Sequence, residues 1–248
     1  MGWGAMAETT EIKTVGDVTI TIRRPKSRLA EFAGQVRVVL GKDLPDDVAA
    51  FYERSDGLTF RATRGGVPLG EEASICGLEA AFAGFRPHRQ YRRRSDYEND
   101  VEAGDLYDQP FCEELWSDGF DVASKRDLDR LNTLKRSKLL VSVPGASAWL
   151  TIDPFDPKGA PYRIGLAQDG CELFPLELSF SDFVAWFCRF GAAPWYLAFA
   201  GKKAEKAMNI DFVAEIERNL AAYAGAFPAE VAALLQRVDR RRRPHASG

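Results

Sequence analysis

Two histidines, one closely spaced pair of aspartates and one acidic helix start are the groups in this chain whose types and spacing bear on chemistry. His88 lies in the arginine-rich run "RPHRQYRRR" and His245 near the C-terminal end. A Ser-His-Asp or Cys-His system needs one of them packed beside a nucleophile and held by an orienting acid, and neither setting supplies that. A structural zinc site would need cysteines close to the histidines, which are missing here. Asp153 and Asp156 in "IDPFDP" stand three positions apart, a spacing that admits a metal or an acid–base pair. Each precedes a proline, however, which biases it to extended or turn geometry, so each is expected to cap its own turn. The glycines of "ATRGGVPLGEE" match neither a dinucleotide fingerprint nor a P-loop and read as a hairpin turn.

The acidic helix start is "LPDDVAAFYERSDGLTF", Leu44 to Phe60. Pro45 fits a first helical turn, and Asp46 and Asp47 lie where the helix dipole favours negative charge. Val48, Phe51 and Tyr52 face inward, and Asp56-Gly57 breaks the helix into a strand. These aspartates are expected to serve the fold. The inventory implies a protein without a catalytic centre, metal or cofactor.

The elements around these groups are well punctuated. "DVTITIRRP" alternates as a half-buried strand stopped by Pro25. In "SRLAEFAGQVRVVLG", Ser27 caps a helix with Leu29, Phe32, Val36, Val39 and Leu40 on one face, and Gly41 ends it. "ASICGLEAAFAGF" reads as a short strand and a short helix, and "KRDLDRLNTL" as another helix. From Lys138, four strand-like runs separated by turn signals predict an antiparallel meander. "SFSDFVAWFCRFG" then forms a helix with a Ser179/Asp182 capping box, a phenylalanine stripe and Gly191 at its end. Two more helices follow, in "DFVAEIERNLAAYAG" and "PAEVAALLQRVDRRRR". The Arg240–Arg243 run reads as a solvated helix end that complements its own dipole.

The 248 residues, 46% hydrophobic and 28% charged, suit a soluble globular protein. A net charge of −3 argues against nucleic acid as a direct partner. No apolar run is long enough to span a bilayer, and the N-terminal stretch lacks the pattern of a secretory signal, so no membrane association and a cytoplasmic location are expected. Met6 is an alternative start to Met1. Cys76, Cys112, Cys171 and Cys188 are far apart and are expected as buried free thiols.

Between residues 86 and 108 the charges separate. Five arginines are followed by the acids Asp96, Glu98, Asp100, Glu102, Asp105 and Asp108. Little apolar periodicity accompanies them, so the segment reads as a long surface loop or insertion.

Three motifs, in their order and spacing, resemble the SUKH superfamily, which includes the Smi/Knr cell-wall regulators of fungi and many bacterial immunity proteins. They are "LPDDVAAFYERSDGLTF", "SAWLTIDPFDPKGAPYRIGLA" and "LSFSDFVAWF". Together they span about residues 27–191. The resemblance implies an α+β fold, one curved antiparallel sheet packed by helices. The SUKH-like domain would occupy residues 1–193, with the charged insertion near 86–108. A helical C-terminal extension with a basic tail, residues 194–248, would pack on it.

The resemblance also implies a binding protein that is not an enzyme. A bacterial member commonly neutralises a cognate polymorphic toxin, so the expected partner is a protein, the toxin's catalytic domain. The acidic strip, and Trp195 and Tyr196 of the extension, are the candidate partner-binding residues. The alternative is a scaffold or regulatory adaptor that binds a self protein.

Overall fold

The computed structural model describes residues 8–83, 91–102, 124–143, 148–153, 160–168 and 172–242. The chain is an α+β protein whose first half opens with a hairpin, β1 (Thr9–Val15) and β2 (Val18–Arg24). Val18, Ile20 and Ile22 face the core from β2, whereas β1 is exposed along nearly its whole length. Helix α1 (Leu29–Leu40) follows and ends at Gly41, whose φ of 68° is the left-handed cap foreseen from sequence. Ser27 serves its start differently from a helix cap. Its hydroxyl accepts from Leu29 N–H and donates to the Tyr52 carbonyl at 2.5 Å, tying α1 to the next helix.

Helix α2 (Asp46–Arg54) has Pro45 at the cap position, one residue before the first turn, and buries Val48, Phe51 and Tyr52. It stops at the Asp56-Gly57 turn. Gly57 has φ +81°, and a Cβ there would lie 2.4 Å from the Ile75 carbonyl oxygen, so glycine is required twice over. Strand β3 (Leu58–Arg64) pairs with β2 on one edge. Its other edge is shared by β4 (Val67–Pro68) and β5 (Ala73–Ile75). A π-helical turn, Glu79–Ala83, succeeds the short strand where a short helix was expected.

Within the segment expected as a long surface loop or insertion, helix α3 runs from Arg94 to Glu102, so a loop throughout is corrected there. The helix gains a start because Asp96 accepts from the backbone N–H groups of Arg92 and Arg93 at 2.9 and 3.1 Å. Helix α4 (Lys125–Arg136) begins in a capping box, with Ser124 and Asp127 exchanging hydrogen bonds. Strands β6 (Lys138–Val143), β7 (Ala148–Asp153), β8 (Arg163–Gln168) and β9 (Glu172–Pro175) form the antiparallel meander. The sheet is therefore divided. A five-stranded and a four-stranded sheet meet where Cys76 N–H, just after β5, donates to the Leu140 carbonyl of β6 at 2.8 Å.

Helix α5 (Phe180–Phe190) lays its four phenylalanines, Phe180, Phe183, Phe187 and Phe190, into the core. Each such ring contributes about 1.5–3 kcal/mol by leaving water. The Ser179 cap accepts from Asp182 N–H as the spacing foretold. Beyond it come a 3₁₀ turn, Pro194–Ala198, and α6 (Lys202–Met208), neither of which the sequence signals marked. Helices α7 (Phe212–Leu220) and α8 (Pro228–Arg242) match expectation. One hydrophobic cluster runs from Val18 to Val238 and takes in both sheets, α5 and the C-terminal helices.

Candidate functional site: a groove where three motifs meet

The three sequence motifs converge on Tyr162. Its hydroxyl donates to Asp47 Oδ2 of α2 at 2.5 Å and accepts from the backbone N–H of Phe180, the first residue of α5, at 2.6 Å. Lys42 Nζ donates to the carbonyl of the preceding Pro161 at 3.0 Å. Burial, and then the Asp47 carboxylate, push the Tyr162 phenol well above its ordinary range, so it stays protonated and keeps donating. Phe51 and Phe180 close the contact from below as an edge-to-face pair with centroids 5.4 Å apart.

Beside this junction α2 and α5 part to leave an open groove of about 810 Å³. Its floor is apolar, from Ala50, Phe51, Phe180, Val184 and Ala185. Charges of both signs ring it: Arg24 of β2, and Asp46, Asp47 and Arg54 of α2. The Cys188 thiol lies in the wall, with Arg24 Nη2 at 3.8 Å from its sulfur. Burial raises its pKa despite that guanidinium, so at neutral pH it is a thiol and a poor nucleophile. An apolar floor with a mixed-charge rim can bind a protein surface; it holds no nucleophile–base pair.

The other sequence candidates fall elsewhere. Asp56 accepts from Leu78 N–H at 2.6 Å and so pins the turn after α2. Asp153 has a partner on the neighbouring strand. It is fully buried at the end of β7, opposite Arg163 of β8, whose guanidinium reaches it at 3.3 Å. Asp156, His88 and His245 lie outside the described residues, as do Cys112 and Cys171. Among the described residues no cluster of His, Cys, Asp and Glu is arranged to hold a metal ion. Cys76 and Cys188 are free and half-buried.

The acidic strip is only partly available. Asp96 is committed to the start of α3, and Glu98 pairs with Arg94 at 2.7 Å. Asp100 and Glu102 fall on the same helix, their side chains outside the described set, and Asp105 and Asp108 lie outside it altogether. Trp195 is a correction as a partner-binding residue, and Tyr196 lies inside the fold beside it. Both are buried, at 0% and 4% exposure, and Trp195 Nε1–H donates to the Gly191 carbonyl at 2.9 Å. Trp195 packs against Phe183, Trp186 and Phe199, so its ring holds the core and offers no face to a partner.

The arginine run also does more than meet solvent. Arg241 Nη2 donates to the Leu197 carbonyl, and Arg242 pairs with Glu205 and, at 2.7 Å, with Asp211. These bonds clamp the end of α8 onto the 3₁₀ turn, α6 and the start of α7.

Sequence reasoning missed Tyr162. A signal was present, a tyrosine between a proline and a strand inside the second motif, but its two partners are 115 and 18 positions away. No helix among the described residues is long and apolar enough to cross a membrane. No family, curated protein or solved structure matches the chain.

Proposed function

We propose that this chain is a non-catalytic binding protein of the SUKH type, acting in the cytoplasm to neutralise a cognate toxin by covering its catalytic domain. The supporting observation is that the three motifs behind the resemblance meet at Tyr162, beside an open groove, lined by the first and third of them, with an apolar floor and a mixed-charge rim. That is the composition of a protein-binding surface, in which apolar area contributes affinity and rim charges select the partner. Helix α3 adds exposed acid at Glu98, suited to steering toward a basic toxin surface.

The test is a tagged pull-down from the native organism's lysate in moderate salt, with co-purifying proteins identified by mass. The expected result is one stoichiometric partner that kills a host when expressed alone and spares it when this chain is co-expressed. Recovery of housekeeping proteins alone, with no toxic partner, overturns the proposal.

A further inference from the structure

A second cavity, of about 300 Å³, opens at the seam between β3, the end of α5 and α7. Four aromatic residues line it, Phe60, Phe190, Tyr196 and Tyr223, all no more than 4% exposed. Phe190 and Tyr223 meet at 84° with centroids 5.4 Å apart, forming two perpendicular walls. The polar lining is acidic. Glu71 and Glu215 contribute carboxylates, and no lysine, arginine or histidine is among the lining residues. Glu215 is fixed in place, because Arg218 reaches one carboxylate oxygen at 2.7 Å from outside the cavity and Asn219 Nδ2 the other at 2.8 Å.

Two hydroxyls here lack partners. Tyr196 and Tyr223 are 4% and 3% exposed, yet neither phenol makes a hydrogen bond to another group of the protein among the described residues. Among the described residues, the buried side-chain atoms that are both sealed from solvent and unpaired are arginine nitrogens, so the phenol oxygens retain access to open space. Natural interiors leave few polar groups in this condition, and those that remain open to a cavity mark a place for water or a ligand. Burial raises both phenols, Tyr223 to about 12, so they are neutral and polarisable at physiological pH. Glu215 is close enough to add to the rise at Tyr196, which places carboxylate and phenol around the same space.

The chemistry that answers this lining is a small organic cation. Carboxylates pair with a cation, and a phenol oxygen accepts from its N–H groups. An anion would meet two carboxylates and no countercharge among the lining residues. We propose that the cavity binds an alkylammonium group, carried either by a free amine or by a lysine side chain of a protein. This site stands apart from the α2–α5 groove, and the proposed toxin neutralisation does not depend on it.

The experiment is a calorimetric and amide-shift titration of the full chain with n-butylammonium chloride, with n-butanol as the neutral isostere. Tyr196→Phe and Glu215→Gln are the variants, each checked for a native melt. Saturable binding to the parent chain, at least about tenfold weaker in both variants and absent for butanol, is the expected result. Nα-acetyl-lysine N-methylamide separates the sources: binding equal to butylammonium assigns a protein-borne lysine, and loss of binding assigns a free amine. No saturable shift into the tens of millimolar overturns the proposal. So does equal binding of butanol, or binding unchanged in the two variants.

Discussion

Tyr162 and Asp47, 115 positions apart, share a hydrogen bond that fixes the second helix against the start of the fifth. The phenol accepts and donates at once, so neither helix start can shift without losing a bond to the other. Replacing Tyr162 by phenylalanine leaves Phe180 N–H without its acceptor and Asp47 without its donor. The expected cost is about 1–2 kcal/mol. Urea denaturation would show it as a lower midpoint at unchanged slope; an unaltered midpoint would mean the bond is replaced by water without loss.

Gly57 and Gly41 both have positive φ, at 81° and 68°, but differ in surroundings. A Cβ on Gly57 would strike the Ile75 carbonyl, whereas nothing lies within 4 Å of one on Gly41. Gly41→Ala should cost about 1 kcal/mol, the conformational penalty alone, and Gly57→Ala about 3 kcal/mol or more. Thermal melts of the two variants side by side measure the difference, and equal losses would refute the steric argument.

Four tyrosines resist ionisation in the folded chain. Burial, the largest cause for each, raises Tyr52, Tyr162, Tyr196 and Tyr223 above the ordinary phenol range. Unfolding returns each to a pKa of about 10. Since the folded values are the higher ones, the associated stability is fully present below pH 10 or so and is lost as pH rises toward the folded values. Alkaline titration followed by phenolate absorbance should show these tyrosines ionising together with loss of the fold. Ionisation of all seven tyrosines near pH 10 with retained circular dichroism would contradict it.

Helix α3 offers a test of charge steering that spares the fold. Asp96 and Glu98 should be left alone, because one holds the helix start and the other pairs with Arg94. Reversal of Asp100 and Glu102 to lysine should weaken binding of the proposed toxin partner at least tenfold and flatten its dependence on salt, a change of about 1.4 kcal/mol or more. Surface association kinetics across a salt series would read this out, and an unchanged salt slope would remove α3 from the interface.

Much of the architecture was legible because local rules set it. The Ser179 cap, the Gly41 terminus and the phenylalanine stripe of α5 each depend on residues within one or two helical turns. What escaped depends on distance in the chain. Asp153 faces Arg163 only because β7 and β8 pair in a particular register, which a proline-based argument about its own turn does not contain. The α3 helix was hidden by its composition, since the contacts seen at its start, a cap and the Arg94–Glu98 ion pair, are polar and leave no apolar periodicity to read. Trp195 and Tyr196 sit in a 3₁₀ turn too short to show periodicity, and only the packing shows that they belong to the core. The groove, likewise, is a property of how two helices sit together.

The single hydrophobic cluster has a consequence for biosynthesis. Its members run from Val18 to Val238, so β2 and α8 share one interior. A nascent chain that has emerged only as far as α5 would present Phe190 to solvent, because Tyr223 and Phe227, which pack against its ring, have not yet left the ribosome. Folding therefore completes only after residue 238 has emerged, and until then the chain exposes aromatic surface that its C-terminal residues later cover.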